Sequence, residues 1–530
     1  MRRVAPLILS LSLAAVWPSL APAAPPAPTP AAAATEAAHQ AAMEGYLYFY
    51  PLLVMDLTRR QAAHPSQNTP PNAYAFVRGL PQAGAAAPWA NPDMLRGTAW
   101  LDLSAGPVVL SVPDTGGRLY TLTLVDLWND AFAVLGKRST GTAKGNTVLV
   151  PPGWSGTLPS GMPRIDAPTT HVLARLLIQA DGPAEYPAVH ALQDGFVITP
   201  LSQWNLPPQA QRVRADGALN MKVSPREQVE SLPTDALFAY AAELLRRNPP
   251  HAADQPVLAR LRGEGLIPGR PFDFDKLDHP AKQGMRRGLR AARERMQAAA
   301  GATLREANGW QREAGGVGVY GNAYMRRALA AQAQPGASLP EDLTTLLLAA
   351  DSRGEAVDGS RRYHLRFASG QLPPAGAFWS LAAYDAQGLL APNALNRQAL
   401  GSRDPLRYNE DGSLDLVLGH EAPAPEQQSN WLPLPASGPA QLLLRVYQPG
   451  PALLDGLWTP PPLLAETPPE VTAEAAPAPA APATDPAPET GASAPAASAT
   501  TATSSVPATP PAKPAVQGKA KPQAQSQPGR

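Results

Sequence analysis

The residues with chemical potential in this chain are charged and aromatic groups carried on strand-like segments. Asp102, Arg118, Tyr120, Asp126 and Arg138 fall in one region, and Trp379, Tyr384, Asn393, Arg397, Trp431 and Arg445 in a second. Arg118, Tyr120 and Asp126 share even parity, which within one strand puts their side chains on one face. A carboxylate facing arginines suits a buried ion network, because a lone charge out of water is prohibitively costly. It suits equally a pocket that orients an anionic or hydroxylated ligand. The second group mixes ring faces with planar donors, a combination fit for sugars and carboxylates and also for core packing.

Motifs of established chemistry do not occur. The chain has no Gly-x-Ser-x-Gly elbow, no His-Glu-x-x-His pair and no Walker loop, and no strand is expected directly before its Gly-x-Gly-x-x-Gly run at 316–321. The eight histidines, among them His39, His64, His171, His190, His364 and His420, are scattered, at no spacing that marks a zinc site. The absence of cysteine excludes disulfides, thiolate metal sites and cysteine nucleophiles. We therefore expect neither metal nor cofactor. A net charge of +1 over 530 residues leaves no overall footprint for nucleic acid. The one dense basic patch is Arg286, Arg290 and Arg293, with Arg287 and Arg295 beside it, on a helix expected over 280–300. It could receive an anionic polysaccharide or lipid headgroup, or be a solvated helix face.

Elements must position these groups. A helix is expected from Thr35, where Ala38, Ala42, Tyr46, Phe49, Leu53 and Leu57 recur at helical spacing, with a kink or break at Pro51. Strands are expected at 98–103, 108–112, 119–127, 147–150 and 172–179. Pro113-Asp114-Thr115-Gly116-Gly117 reads as a hairpin turn between two of them. The period then turns helical: Leu237, Phe238, Ala241, Leu244 and Leu245 form a stripe after Thr234, a reasonable N-cap, and Pro249-Pro250 stops it. A further helix is expected near 340–350, then strands at 363–367, 377–384, 414–418 and 441–447. This order implies an α+β fold, with two β-rich units, sandwich or jelly-roll-like, at 35–215 and 351–465 around a helical insert at 216–350.

The ends differ in kind. Met1-Arg2-Arg3, an apolar run over 7–16 and Ala21-Pro22-Ala23 read as a cleavable signal peptide over 1–23, followed by a spacer over 24–34. The run is shorter than the ~20 residues that span a bilayer, so the mature chain is expected to be soluble and periplasmic or secreted. Residues 466–530 lack Leu, Ile, Met and aromatics, and such a composition reads as a disordered tail. Its acids precede its bases, which could let the tip touch the cell wall or envelope.

Two sets of motifs resemble a known pair of families. Phe378-Trp379-Ser380, Tyr384-Asp385, Asn396-Arg397, Asp411-Gly412-Ser413-Leu414, Asn430-Trp431-Leu432-Pro433 and Leu444-Arg445-Val446-Tyr447 resemble the C-terminal member of the bacterial "domain of unknown function" 1254 and 1214 pair. Trp100-Leu101-Asp102-Leu103, Arg118-Leu119-Tyr120, Asp126, the 136–141 run Gly-Lys-Arg-Ser-Thr-Gly, Pro152-Gly153-Trp154, Leu192-Gln193 and Pro200-Leu201 resemble the 1254 partner. The chain departs from that pattern at Phe76, where the family shows histidine, and at Asp93-Met94-Leu95-Arg96, where it shows Asp-Thr-Leu-Tyr. The resemblance implies architecture and no agreed chemistry. With those positions changed, we expect an exported protein that binds a carbohydrate or small carboxylate between its β units. The alternative is a hydrolase or lyase acting on a polysaccharide or small ester, with Asp102 or Asp126 as general base.

Overall fold

Thr29 caps the first helix by accepting from Ala32 N at 3.3 Å, and the helix then runs unbroken from Pro30 to Ala62. It starts before Thr35, within the stretch read as spacer, and Pro51 neither kinks it to a stop nor divides it. Proline removes one hydrogen bond, but residues 45–57 are all buried here, and packing on every side holds the helix through the defect. The computed structural model describes residues 29–84, 87–207, 219–299, 301, 304–313, 315–348 and 350–466, all within one unit, Met1–Thr467. The signal peptide read at 1–23 and the tail, apart from Glu466, lie outside the described residues. Among those described, no helix is long and apolar enough to cross a membrane.

The fold is α+β, with two β-rich regions and helices between them. In the first region a five-stranded sheet runs in the order Ala75–Phe76, Met94–Asp102, His171–Gln179, Tyr120–Asp126, Ala131–Gly136, all antiparallel. A four-stranded sheet, in the order Arg164–Asp166, Gly145–Val150, Val108–Val112, Val197–Pro200, packs on it through Leu95, Leu101, Leu110, Leu122, Leu149 and Ile178. The second region repeats the scheme. Leu304–Ala307, Trp310–Glu313, Leu343–Leu348, Ala440–Pro449, Ala375–Asp385 and Ala399–Gly401 form a six-stranded sheet. It packs on Trp431–Pro433, Leu414–Gly419, Tyr363–Phe367 and Leu464–Ala465 around Leu365, Trp379, Leu381, Leu416 and Leu442.

Three further expectations need correction. Thr234 does not cap its helix but is its first residue, with Pro233 at the cap position and no side-chain cap. The Pro113 to Gly117 segment is not a hairpin turn: Val108–Val112 pairs within the four-stranded sheet and Tyr120–Asp126 within the five-stranded one, so the segment carries the chain from one layer to the other. Gly116 and Gly117 still supply the positive φ values, 60° and 85°, that a tight bend needs. Residues near 340–350 form the Leu343–Leu348 strand rather than a helix. Thr344 and Thr345 are β-branched, and the full length of the strand pairs with Ala440–Pro449, from Leu343↔Tyr447 to Leu348↔Leu442. The helix lies earlier, at Tyr324–Ala333.

The first helix is the axis of the helical layer. Pro225–Ser231, Thr234–Leu245, Gln255–Arg262, His279–Ala299 and Tyr324–Ala333 surround it. Its tightest neighbour is His279–Ala299, where a Cβ on Gly284 would lie 2.2 Å from Thr35 O and one on Gly288 2.2 Å from His39 O. Glycine is therefore used for backbone approach. Gly288→Ala should destabilise the protein by about 1–3 kcal/mol through overpacking, against the ~1 kcal/mol by which alanine normally favours a helix. A melting temperature unchanged or raised in Gly288→Ala would show that the two helices part without cost.

Candidate functional site

The strand Tyr120–Asp126 ends in a buried aspartate whose two oxygens do different work. Asp126 Oδ1 accepts from Trp128 N at 2.9 Å and Asp130 N at 3.0 Å, closing the turn, with Asn129 at φ 68°, that returns the chain into Ala131–Gly136. Asp126 Oδ2 faces His251 Nε2 at 2.5 Å. His251 follows Pro249-Pro250 and caps the Ala252–Asp254 turn. Its Nδ1 lies 3.8 Å from Asp130 Oδ2 and 4.0 Å from Asp254 Oδ2.

Into this group of carboxylates the Tyr324–Ala333 helix inserts Arg327, which is 0% exposed. Its Nη1 donates to Asp130 Oδ2 at 2.7 Å, and its Nη2 stands 3.9 Å from Asp254 Oδ1. Tyr48 and Tyr324 each donate to Asp254 at 3.0 Å, and the rings of Tyr48, Trp128 and Tyr324 surround the guanidinium at 5.8, 5.6 and 5.2 Å. Three carboxylates thus meet one arginine and one imidazole. Burial opposes the charged ring, but Asp126 and then Asp130 outweigh it and leave His251 above its ordinary value. Burial, with Asp126 nearby, also holds the Asp130 carboxyl above the usual range in spite of Arg327.

Asp126, Asp130 and His251 offer ligand atoms within 4.8 Å of one another. Sequence spacing could not reveal them, since Asp126 and His251 are 125 residues apart. The donor set nevertheless fits an ion network better than a metal centre, because Arg327 already holds the cation's place against Asp130.

A cleft of about 550 Å³ opens beside this network, and Tyr324 belongs to both. Glu44, Met43 and Leu47 of the first helix, Arg260, Arg295 and Arg326, and Asn322 and Met325 line it. Arg260 pairs with Glu44 at 2.5 Å, and Arg326 donates to Gly315 O.

The second motif region forms a separate knot against the first. Asp93 accepts from Ser380 Oγ at 2.5 Å, Tyr447 Oη at 3.0 Å and Arg403 Nη2 at 2.7 Å. Beside it the buried Arg445 donates to Tyr384 Oη at 2.7 Å and to Trp89 O at 3.1 Å. These contacts carry the six-stranded sheet onto the segment leading into Met94–Asp102. Met94 itself packs with Leu119, Leu177, Phe378 and Tyr447, while Phe76 stacks on Tyr74 and Arg96 is exposed on the same strand as Met94.

The remaining candidates are dispersed. Arg118 precedes its strand and pairs with Glu185 at 2.9 Å, Tyr120 donates to Gly141 O at 3.2 Å from within the sandwich core, and neither meets Asp126. The single face expected from their parity does not form: Arg118 lies outside the strand, and the Asp126 side chain folds into its own turn. Arg138 pairs with Asp342 at 2.7 Å. Asp102 lies 3.7 Å from His171 Nε2; burial works against its ionisation, but hydrogen bonds from Ser104 and the His171 charge hold its carboxyl below the usual range. Trp379 is core, Asn393 braces its own loop through Arg397 N and O, Arg397 donates to Trp431 O at 2.7 Å, and Trp431 Nε1 donates to Gly419 O. The arginine row divides too: Arg286 lies over Phe274, Arg287 reaches Glu36, Arg293 donates to Leu232 O at 2.8 Å, and Arg295 enters the cleft.

The raised His251 titration gives a signed expectation. Its contribution to stability is complete below the ordinary imidazole value of 6.5 and is lost as pH rises through the higher folded value. Urea unfolding of His251→Ala should therefore show a deficit that is largest near pH 6 and shrinks toward pH 9. A deficit independent of pH would mean that the ring is held neutral.

Comparisons with known proteins agree with this architecture. The model of the protein of unknown function DUF1254 matches residues 71–200, and that of DUF1214 matches residues 343–451. The crystal structure of the VPA0106 protein from Vibrio parahaemolyticus is similar at 22% identity and a TM-score of 0.62, over 81% of this chain and all of that one, which establishes a shared fold. An uncharacterised Burkholderia cenocepacia protein aligns over 82% of this chain and 94% of its own at 12% identity and a TM-score of 0.35. No curated protein matches the chain. The chain thus carries the paired domains of unknown function 1254 and 1214, in the order that its motifs indicate.

Proposed function

We propose that this is an exported binding protein whose ligand is a small carboxylate with an apolar body, held in the cleft of the helical layer. The observation that carries this reading is the lining of that cleft: Arg260, Arg295 and Arg326 stand against a single acid, Glu44, next to Asn322 and the thioether and isobutyl groups of Met43, Met325 and Leu47. Arginines and an amide provide oriented donors for a carboxylate, and the apolar wall receives the rest of the molecule. Tyr324 ties this wall to Asp254, so the cleft is backed by the buried ion network rather than by a free loop. Carbohydrates that carry a uronic acid group share the required chemistry.

Binding is better supported than hydrolysis. Asp102 is a weak base where it stands, and Asp126 is sequestered behind His251 with both oxygens engaged. The basic start, apolar run and small-residue site over 1–23 support export, and the Pro/Ala-rich 466–530 segment supports a spacer toward an anionic envelope surface.

Thermal unfolding of the full mature chain against small carboxylates, uronic acids and neutral sugars tests the reading. An amphiphilic carboxylate should raise the melting temperature with the logarithm of its concentration beyond Kd, worth about 2.7 kcal/mol of stability at a hundred times Kd, and Arg295→Ala should weaken the apparent affinity at least tenfold. No response to any carboxylate, or one indifferent to Arg295→Ala, would refute it. N-terminal sequencing of the protein expressed with its full leader should show cleavage after Ala23; an uncleaved cytoplasmic product would refute export.

A further inference from the structure

The outer face of the five-stranded sheet, the one turned away from the sandwich core, is covered at both ends and polar between them. At one end Trp100, Leu173 and Val125, in register across Met94–Asp102, His171–Gln179 and Tyr120–Asp126, enter the core of the helical layer. At the other, Met94, Leu119 and Leu177 pack with Phe378 and Tyr447 of the second β region. The pleat puts every second residue of each strand on this face. The row between the two apolar ends is therefore Thr98, Arg175 and Thr123, directly opposite one another. Arg96 and Thr121 occupy the next row.

Arg175 is anomalous there. It is half-buried, and among the described residues no acid faces it and no hydrogen bond or ion pair engages its guanidinium. Burial, and after it the charge of Arg96, lowers it to about 10, so it remains a cation at neutral pH. The loop after the Tyr324–Ala333 helix closes over its stem: at Gly336, φ 76°, a Cβ would lie 2.9 Å from Arg175 Cδ. Gly336 N is fastened to Asn129 Oδ1 at 2.7 Å, in the turn that Asp126 organises. The fully buried Arg327 and Arg445 differ from it in being engaged, Arg327 by Asp130 and Arg445 by Tyr384 and a carbonyl. A cation withdrawn from water without a counter-charge carries a large desolvation cost. The cost is relieved when an anion supplies what the protein leaves out.

We infer that the row of Thr98, Arg175 and Thr123, with Arg96 at its edge, is a binding site for a small oxyanion, a phosphate or carboxylate group, lying between the helical layer and the second β region. Arginine offers a planar pair of donors to such a group, and threonine hydroxyls flank it on both neighbouring strands. The site is separate from the helical cleft and does not depend on what that cleft binds.

The test is thermal unfolding of the full mature chain titrated with inorganic phosphate and with acetate, each against sodium chloride at equal ionic strength. Phosphate or acetate should raise the wild-type melting temperature above the chloride control, with the logarithm of its concentration beyond Kd. Arg175→Met should abolish that rise while leaving the unliganded protein as stable or more stable, since methionine keeps the stem and removes the uncompensated charge. Arg96→Ala should weaken apparent affinity several-fold. Arg295→Ala, in the helical cleft, should leave the response intact, so failure at one site is distinguishable from failure at the other. A stronger response to phosphate assigns the site to a phosphoryl group, and a stronger response to acetate to a carboxylate. Wild type behaving alike in all three salts, or a rise that survives Arg175→Met, would overturn the inference.

Discussion

Arg327 imposes the central constraint of this molecule. A guanidinium with no exposed surface must be neutralised and enclosed, and its partners come from three distant parts of the chain. Asp130 belongs to the turn of the first β region, Asp254 and His251 to the segment after the double proline, and Tyr48 to the first helix. Its own helix also delivers Tyr324 to the cleft wall. Removing one partner of a buried pair costs about 3–5 kcal/mol, so the network penalises any arrangement of the helical layer other than this one.

The first helix is the second organising element, and it works by apolar burial. Side chains on all its faces are covered along the middle of its length, and the glycines of His279–Ala299 admit close backbone approach. The five-stranded sheet is covered on both faces for the same reason: its inner residues fill the sandwich, and the outer ones meet helices at one end and the second β region at the other. Charge appears on that outer face only where neither cover reaches.

These features underlie the proposed anion recognition. The helical cleft gathers arginines against a single acid, and the sheet face carries an arginine that no acid faces among the described residues. The carboxylates that could serve as bases are held low or locked into the ion network. The contacts of Asp93 with Ser380, Tyr447 and Arg403 join the two matched regions of this chain, 71–200 and 343–451, through one buried carboxylate.

Much of the architecture was legible from residue order. Strands such as Val108–Val112 and Tyr363–Phe367 declare themselves by composition, because β-branched and aromatic residues bounded by turn formers suit a pleated surface. The paired-family motifs declare themselves because several patterns in order rarely coincide by chance. The Leu343–Leu348 strand was not legible, since a leucine-rich run takes its period from the partner it meets, here Ala440–Pro449. The Pro113 to Gly117 bend could be read as a turn but not as a change of layer, because strand pairing is not encoded in the turn. The site was least legible of all. Asp126 and Arg445 could be singled out as buried charges needing partners, yet His251, Asp254 and Arg327 became a cluster, and Arg175 a cation that no acid faces among the described residues, only through contacts between residues far apart in the chain. Local patterns determine local conformation; which charges meet, and which is left without a partner, follows from desolvation and packing in three dimensions.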